Sequence, residues 1–89
     1  MSRIELYTTR QCPYCVRAKM LLQHKGVAWE EIHVDQEPAQ LQRMLQRSQR
    51  RTVPQIFIND QAIGGYDELA ALNRSGELDS LLELTEGYD

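Results

Sequence analysis

Eighty-nine residues, 42% of them apolar and 26% charged, suffice for one domain with one modest core. A formal net charge of −3 argues against general nucleic-acid binding. No window approaches the roughly 18 apolar residues that span a membrane.

Ile4-Glu5-Leu6-Tyr7 has the length and apolar content of a first strand. Pro13 to about Lys25 reads as a helix, with Tyr14, Ala18, Leu21 and Leu22 on one face and Val16 and Met20 widening it. Pro13 suits the first turn, where its missing N–H costs nothing. His24 and Lys25 lie in the last turn, and Gly26 stops it. Ala28 to Val34 is a second strand, with Ile32 and Val34 on one face. Strand, helix, strand is a βαβ unit with parallel strands and a right-handed crossover.

Asp35-Gln36-Glu37-Pro38 opens a second helix, with Leu41, Met44 and Leu45 as its buried stripe. Gln55 to Ile58 is an alternating strand, and Asn59-Asp60 turns it into a short strand at Gln61 to Ile63. Gly64-Gly65 ends that hairpin. A third helix starts near Tyr66-Asp67-Glu68 and carries Leu69, Ala70 and Leu72. Asn73 to Gly76 reads as a turn, Leu78, Leu81 and Leu82 mark a final helix, and Thr85 to Asp89 as a frayed end. The order β-α-β-α-β-β-α plus one helix predicts an α/β fold, a four-stranded mixed sheet flanked by helices.

Cys12 and Cys15 are the only cysteines, spaced C-x-x-C between the first strand and the first helix. A helix N-terminus concentrates unpaired N–H groups and the positive end of the macrodipole. A cysteine there is pushed toward thiolate, the form that attacks disulfides. Structural zinc needs four ligands, and only His24 and His33 remain to complete a set, at separations that form no finger. Two inert buried cysteines are the plain alternative. The start, Met1-Ser2-Arg3-Ile4-Glu5, lacks the apolar core of a signal peptide, so a cytoplasmic, reducing setting is expected. In that setting a lone pair after a strand reads as redox-active, with Cys12 as nucleophile and Cys15 as resolving thiol.

Charge is divided unevenly along the chain. Residues 1–59 carry nine Arg/Lys against five Asp/Glu, and residues 60–89 one against eight. The basic half holds the cysteines, which suits an anionic substrate; solvated helix faces explain Arg43 and Arg47 equally well. Arg17 and Lys19, one turn into the helix, are placed to favour the Cys12 thiolate or simply to be solvated. Tyr7 and Tyr14 are read as shaping a cleft, His24 as a helix-terminal cation and His33 as a surface residue. Trp29 and Phe57 are assigned to core or rim, and Met20 and Met44 to core filling.

Three motifs carry a resemblance. Cys12-Pro13-Tyr14-Cys15, Thr52-Val53-Pro54-Gln55-Ile56-Phe57-Ile58 and Gly64-Gly65-Tyr66-Asp67 together resemble the dithiol glutaredoxins of the short bacterial type, over essentially residues 3–84. The resemblance implies a thioredoxin-like fold and a glutathione-dependent thiol–disulfide oxidoreductase without a tightly bound cofactor or metal. It implies a cis Val53–Pro54 bond against the active site, with Thr52, Val53 and Pro54 meeting the cysteinyl part of glutathione as a strand edge meets a peptide. Read alone, Pro54 is better taken as a strand-opening proline. It further implies that the N–H groups of Tyr66 and Asp67, after Gly65, receive the γ-glutamyl carboxylate, and that Asp67 binds its ammonium. Read alone, Gly64-Gly65 is a hairpin exit before a helix. Where many relatives carry a Lys before the nucleophile, this chain has Thr9 and Arg10. Arg10, then, is the first choice for the glycyl carboxylate, ahead of Gln42 and Arg50, and Tyr14 flanks the same site.

The expected partners are glutathione and disulfide-containing or glutathionylated proteins, with no nucleic acid and no membrane, and the chain acting as a monomer. Two rivals stand beside this reading. One draws electrons from thioredoxin reductase. The other is a glutathione-ligated [2Fe–2S] protein, a role that goes mostly with Cys-Gly-Phe-Ser rather than the Cys12-Pro13-Tyr14-Cys15 present here.

Overall fold

In the computed structural model residues 2–83 are described; the expected frayed end at Thr85 to Asp89 lies outside them. In chain order the elements are β1 (Ile4–Thr8), α1 (Pro13–His24), β2 (Glu30–His33), α2 (Pro38–Ser48), β3 (Gln55–Ile58), β4 (Gln61–Gly64), α3 (Tyr66–Ser75) and α4 (Glu77–Leu81). The sheet order is β2-β1-β3-β4. β1 and β2 are parallel and the other pairs antiparallel, the mixed sheet that the element order predicts.

Side chains alternate across a strand, and both faces of this sheet are covered. Ile4, Leu6, Ile56 and Ile58 point into a core with Ala18 and Leu22 of α1, Leu69 of α3, and Leu78 and Leu82 at α4. Tyr7 and Phe57 point the other way, onto Val34 and Met44 of α2. That is why β3 is buried at every position instead of showing the half-polar alternation expected of it.

The buried stripe of α1 is Cys15, Ala18 and Leu22, with Leu21 packed against it. Tyr14, Val16 and Met20, assigned to the apolar face, are exposed instead, so Met20 fills no core; Met44 does. α3 continues to Ser75, and Gly76 with φ +85° is the stop, so the expected turn over Asn73 to Gly76 shrinks to its last residue. Asn59 and Asp60 have φ of 52° and 67°, the two left-handed residues of a tight hairpin turn.

Arg47 serves neither as a solvated residue nor as a substrate contact. Its guanidinium lies 3.9 Å from the Phe57 ring centroid and donates to Glu5 Oε1 (2.9 Å) and Tyr7 Oη (2.9 Å). Glu5 points to the α2 face of β1 with its side chain only 5% exposed, against 18% for Arg47. Tyr7, expected at a cleft, is fully buried and meets Phe57 edge-on. Among the described residues no helix is long and apolar enough to cross a membrane.

Candidate active site

The C-terminal end of β1 delivers the chain to the cysteine loop. Thr8 closes that end, accepting the Val34 N–H on its carbonyl (2.9 Å) and donating its hydroxyl to Glu31 Oε2 (2.8 Å). Lys19 Nζ reaches the same oxygen at 3.0 Å. Burial alone would raise the Glu31 carboxyl; Thr8 and Lys19 outweigh it and hold it below the usual carboxylate range. Lys19 is therefore spent on Glu31, and Arg17 lies over the Tyr14 ring at 5.2 Å. The Arg10 N–H donates to Asp35 Oδ2 (3.1 Å).

Cys12 is the N-cap of α1, extended at φ −141° and ψ 99°. The Cys15 N–H donates to Cys12 Sγ at 3.0 Å, and the Val16 N–H to the Cys12 carbonyl at 3.1 Å. Unpaired N–H groups aimed at a sulfur favour negative charge on it. Cys12 and Cys15 are joined as a disulfide with Cα atoms 5.1 Å apart. Cys12 is 9% exposed and Cys15 1%, so an incoming thiolate reaches Cys12 first. Among the described residues both cysteines are committed to this bond.

One further loop packs on Cys12, and a second faces that loop across a groove. Cys12 Sγ lies 3.8 Å from the Val53 carbonyl oxygen, beside a cis Val53–Pro54 bond. Gln55 Nε2 pins that loop, donating to the Thr52 carbonyl (2.9 Å) and hydroxyl (3.1 Å). A groove of about 300 Å³ runs between Thr52, Val53 and Pro54 on one wall and Gly65, Tyr66 and Asp67 on the other. Tyr14 and Arg50 also line it, and the rings of Tyr14 and Tyr66 are 6.1 Å apart. Arg10 is not among the lining residues; with Thr9, Gln11 and Asp35 it lines a separate hollow. Of the cations considered for a substrate carboxylate, the groove contains Arg50.

Glu68, absent from the expected site residues, organises the second wall. Its Oε1 accepts the Gly65 N–H at 2.6 Å and the Arg50 guanidinium at 3.3 Å. The Gly65 N–H foremost, and Arg50 after it, hold this carboxyl below the usual range against the effect of burial. The spacing from Gly65 to Glu68 is that of a capping box whose N-cap lacks a side chain, and that spacing was the available signal. Gly64, at φ +115°, makes room: a Cβ there would sit 2.7 Å from Glu68 Oε1.

A dithiol at a helix N-terminus on a four-stranded sheet, facing a cis-proline loop, defines a redox site of the thioredoxin-like class. The glutaredoxin family profile matches residues 4–63. Glutaredoxin 3 of Escherichia coli K12 is 52% identical over 83 residues, covering 93% of this chain and all of that one. The glutaredoxin of Pseudomonas aeruginosa is 48% identical over 82 residues, covering 92% and 98%. Among solved structures, a buckwheat glutaredoxin–glutathione complex superposes with a TM-score of 0.85 at 33% identity, over 92% of this chain and 77% of that one. The solution structure of the Brucella melitensis glutaredoxin gives 0.80 at 45% identity, over 94% and 91%. This chain belongs to the glutaredoxin family and is a thiol–disulfide oxidoreductase working through its Cys12–Cys15 pair.

Proposed function

We propose that glutathione is the reductant and that glutathionylated and disulfide-bonded proteins are the substrates. The observation that carries this reading is the groove abutting Cys12, which offers the Val53 backbone beside the cis peptide bond, a helix N-terminus at Tyr66 and Asp67, and the Asp67 carboxylate. Glutathione has a peptide backbone for the first, a γ-glutamyl carboxylate for the second and an ammonium for the third. The buckwheat relative, whose structure is a complex with glutathione, supports glutathione as the ligand.

The Cys12 thiolate, stabilised by the Cys15 N–H, attacks the glutathione sulfur of a mixed disulfide and expels the protein thiolate. The glutathionyl group on Cys12 then lies in the groove, and a second glutathione thiolate removes it as oxidised glutathione. With a protein disulfide, Cys12 forms the mixed disulfide and Cys15 attacks Cys12 Sγ, releasing the substrate thiol. The Cys12–Cys15 bond that results is the state described above, and glutathione enters it at Cys12, the more exposed sulfur. We read the protein as a cytoplasmic monomer with no tightly bound cofactor.

The test is glutathione-coupled turnover of a glutathionylated peptide by wild type, Cys12→Ser and Cys15→Ser. Turnover by wild type and Cys15→Ser, with none by Cys12→Ser, is expected. Equal losses in both variants overturn the cysteine roles. No turnover by wild type with glutathione overturns the reductant and moves thioredoxin reductase forward.

A further inference from the structure

Three large apolar side chains stand strongly exposed among the described residues, Tyr14 (53%), Val16 (49%) and Met20 (63%), and all three are on α1. Single exposed apolar residues scattered over a surface mean little. Here they share the helix that carries the disulfide. Val16 and Met20 are one turn apart and lie opposite the Cys15-Ala18-Leu22 stripe. On a solvent face helix propensity should decide the residue, and a β-branched valine is a poor choice there. Packing in the free protein explains neither Val16 nor Met20.

The charge on the same face is one-sided. α1 contains no Asp or Glu. Its lysine Lys19 is committed to Glu31, and the capping Lys25 to Asp79 at 2.7 Å. Arg17, between Val16 and Met20 in the chain, has no carboxylate partner among the described residues. A shallow cleft of about 520 Å³ opens beside it, with Arg17, Met20 and His24 on the α1 side and Tyr66 and Asn73 on the α3 side. Tyr66 is also a wall of the groove at Cys12, so cleft and groove share one ring.

We propose that this face of α1 is the docking strip for the protein moiety of the substrate. It fits a segment with an aliphatic side chain for Val16 and Met20 and an acidic one for Arg17. Met20 lies eight residues beyond Cys12, roughly 12 Å along the helix at about 1.5 Å per residue. An extended substrate covers that in about four residues. The strip therefore selects disulfides with an aliphatic residue about four positions from the cysteine and a Glu or Asp beside it. This rests on the dithiol chemistry alone, not on glutathione as reductant.

The experiment follows single turnovers of the reduced protein, without glutathione, on cysteine peptides carrying 2-nitro-5-thiobenzoate in a mixed disulfide. The Cys12 thiolate attacks the peptide sulfur and expels the coloured thiobenzoate thiolate, which is the readout. Cys15 then attacks Cys12 Sγ, its proton passing to the departing peptide thiolate, so two electrons leave the dithiol for the substrate disulfide. A Leu/Glu peptide should react about tenfold faster than its Ser/Lys counterpart, the gain expected from burying one aliphatic side chain. The V16Q/M20Q variant should lose that preference yet match wild type on the cysteine–thiobenzoate disulfide, which is too short to reach the strip and also reports intact folding. Arg17→Glu should turn a preference for Glu into one for Lys. Equal wild-type rates on the two peptides, or a preference that survives in V16Q/M20Q, would overturn the proposal.

Discussion

Replacing Arg47 with alanine should destabilise this protein more than any surface charge change. The substitution leaves the Glu5 carboxylate, 5% exposed, with its main partner gone, and removes the donor to Tyr7 Oη and the guanidinium stacked on Phe57. Stranding one member of a buried ion pair costs roughly 3–5 kcal/mol. A domain of this size has only about 5–10 kcal/mol in total. Arg47 holds Glu5 below the usual carboxylate range chiefly through its hydrogen bond, against burial, which pushes the carboxyl up. In wild type, stability from Glu5 is therefore complete above its ordinary value and lost as pH falls through the depressed folded value. In Arg47→Ala burial is opposed only by Arg3, whose guanidinium lies 3.5 Å from Glu5 Oε2, and by the charge of Arg43, so Glu5 takes up its proton earlier in acid and the penalty shrinks. Urea unfolding followed by the single tryptophan, Trp29, which packs against the α1 core, measures this at pH 7 and pH 4. The expected cost is about 3–4 kcal/mol at pH 7, falling by about half at pH 4, with Glu5→Gln in the same chain recovering part of it. A cost below about 1 kcal/mol, the value of an exposed pair, or one independent of pH, would refute the buried-pair reasoning.

Gly64→Ala forces a Cβ to 2.7 Å from Glu68 Oε1 at a φ of +115°; a loss of about 1–3 kcal/mol in urea unfolding is expected and, on the proposed function, a higher KM for glutathione. Glu68→Ala removes the acceptor of the Gly65 N–H, and about 1 kcal/mol of capping should go with it. The folded state holds the Glu68 carboxyl low, so its contribution is complete above the ordinary carboxylate value and fades as pH drops through the lower folded one. The stability difference between wild type and Glu68→Ala should therefore narrow in acid, and a constant difference would remove the carboxylate from the account.

Element order was legible because the punctuation is strong: Pro13 and Pro38 open helices, Gly26 and Gly76 close them, and Asn59-Asp60 marks the hairpin. Cys12 and Cys15 were legible because spacing and context suffice. Exposure within α1 was not. Tyr14, Val16 and Met20 look like core by composition, and only the placement of Cys15, Ala18 and Leu22 shows that the inward face was already full. Arg47 was equally opaque, since its meaning depends on Glu5 and Phe57, 42 and 10 residues away in the chain. The cations near the groove failed in the same manner. Sequence proximity favoured Arg10, whereas the return of the chain after α2 places Arg50 at the wall.

β1 enters at Ile4 beside the hairpin tip and leaves at Thr8 beside the cysteines. At the entry the Arg3 N–H donates to Asn59 Oδ1 at 2.8 Å and the Asn59 N–H donates to the Arg3 carbonyl at 2.8 Å. Five residues of strand separate that staple from the redox loop, roughly 17 Å at about 3.4 Å each. β3 and β4 start and finish at the groove and turn at the staple. The molecule thus has two poles, one that reacts and one that only holds. A fluorophore or surface tether at the holding pole would report on the protein, or immobilise it, while the opposite end stays open to disulfides.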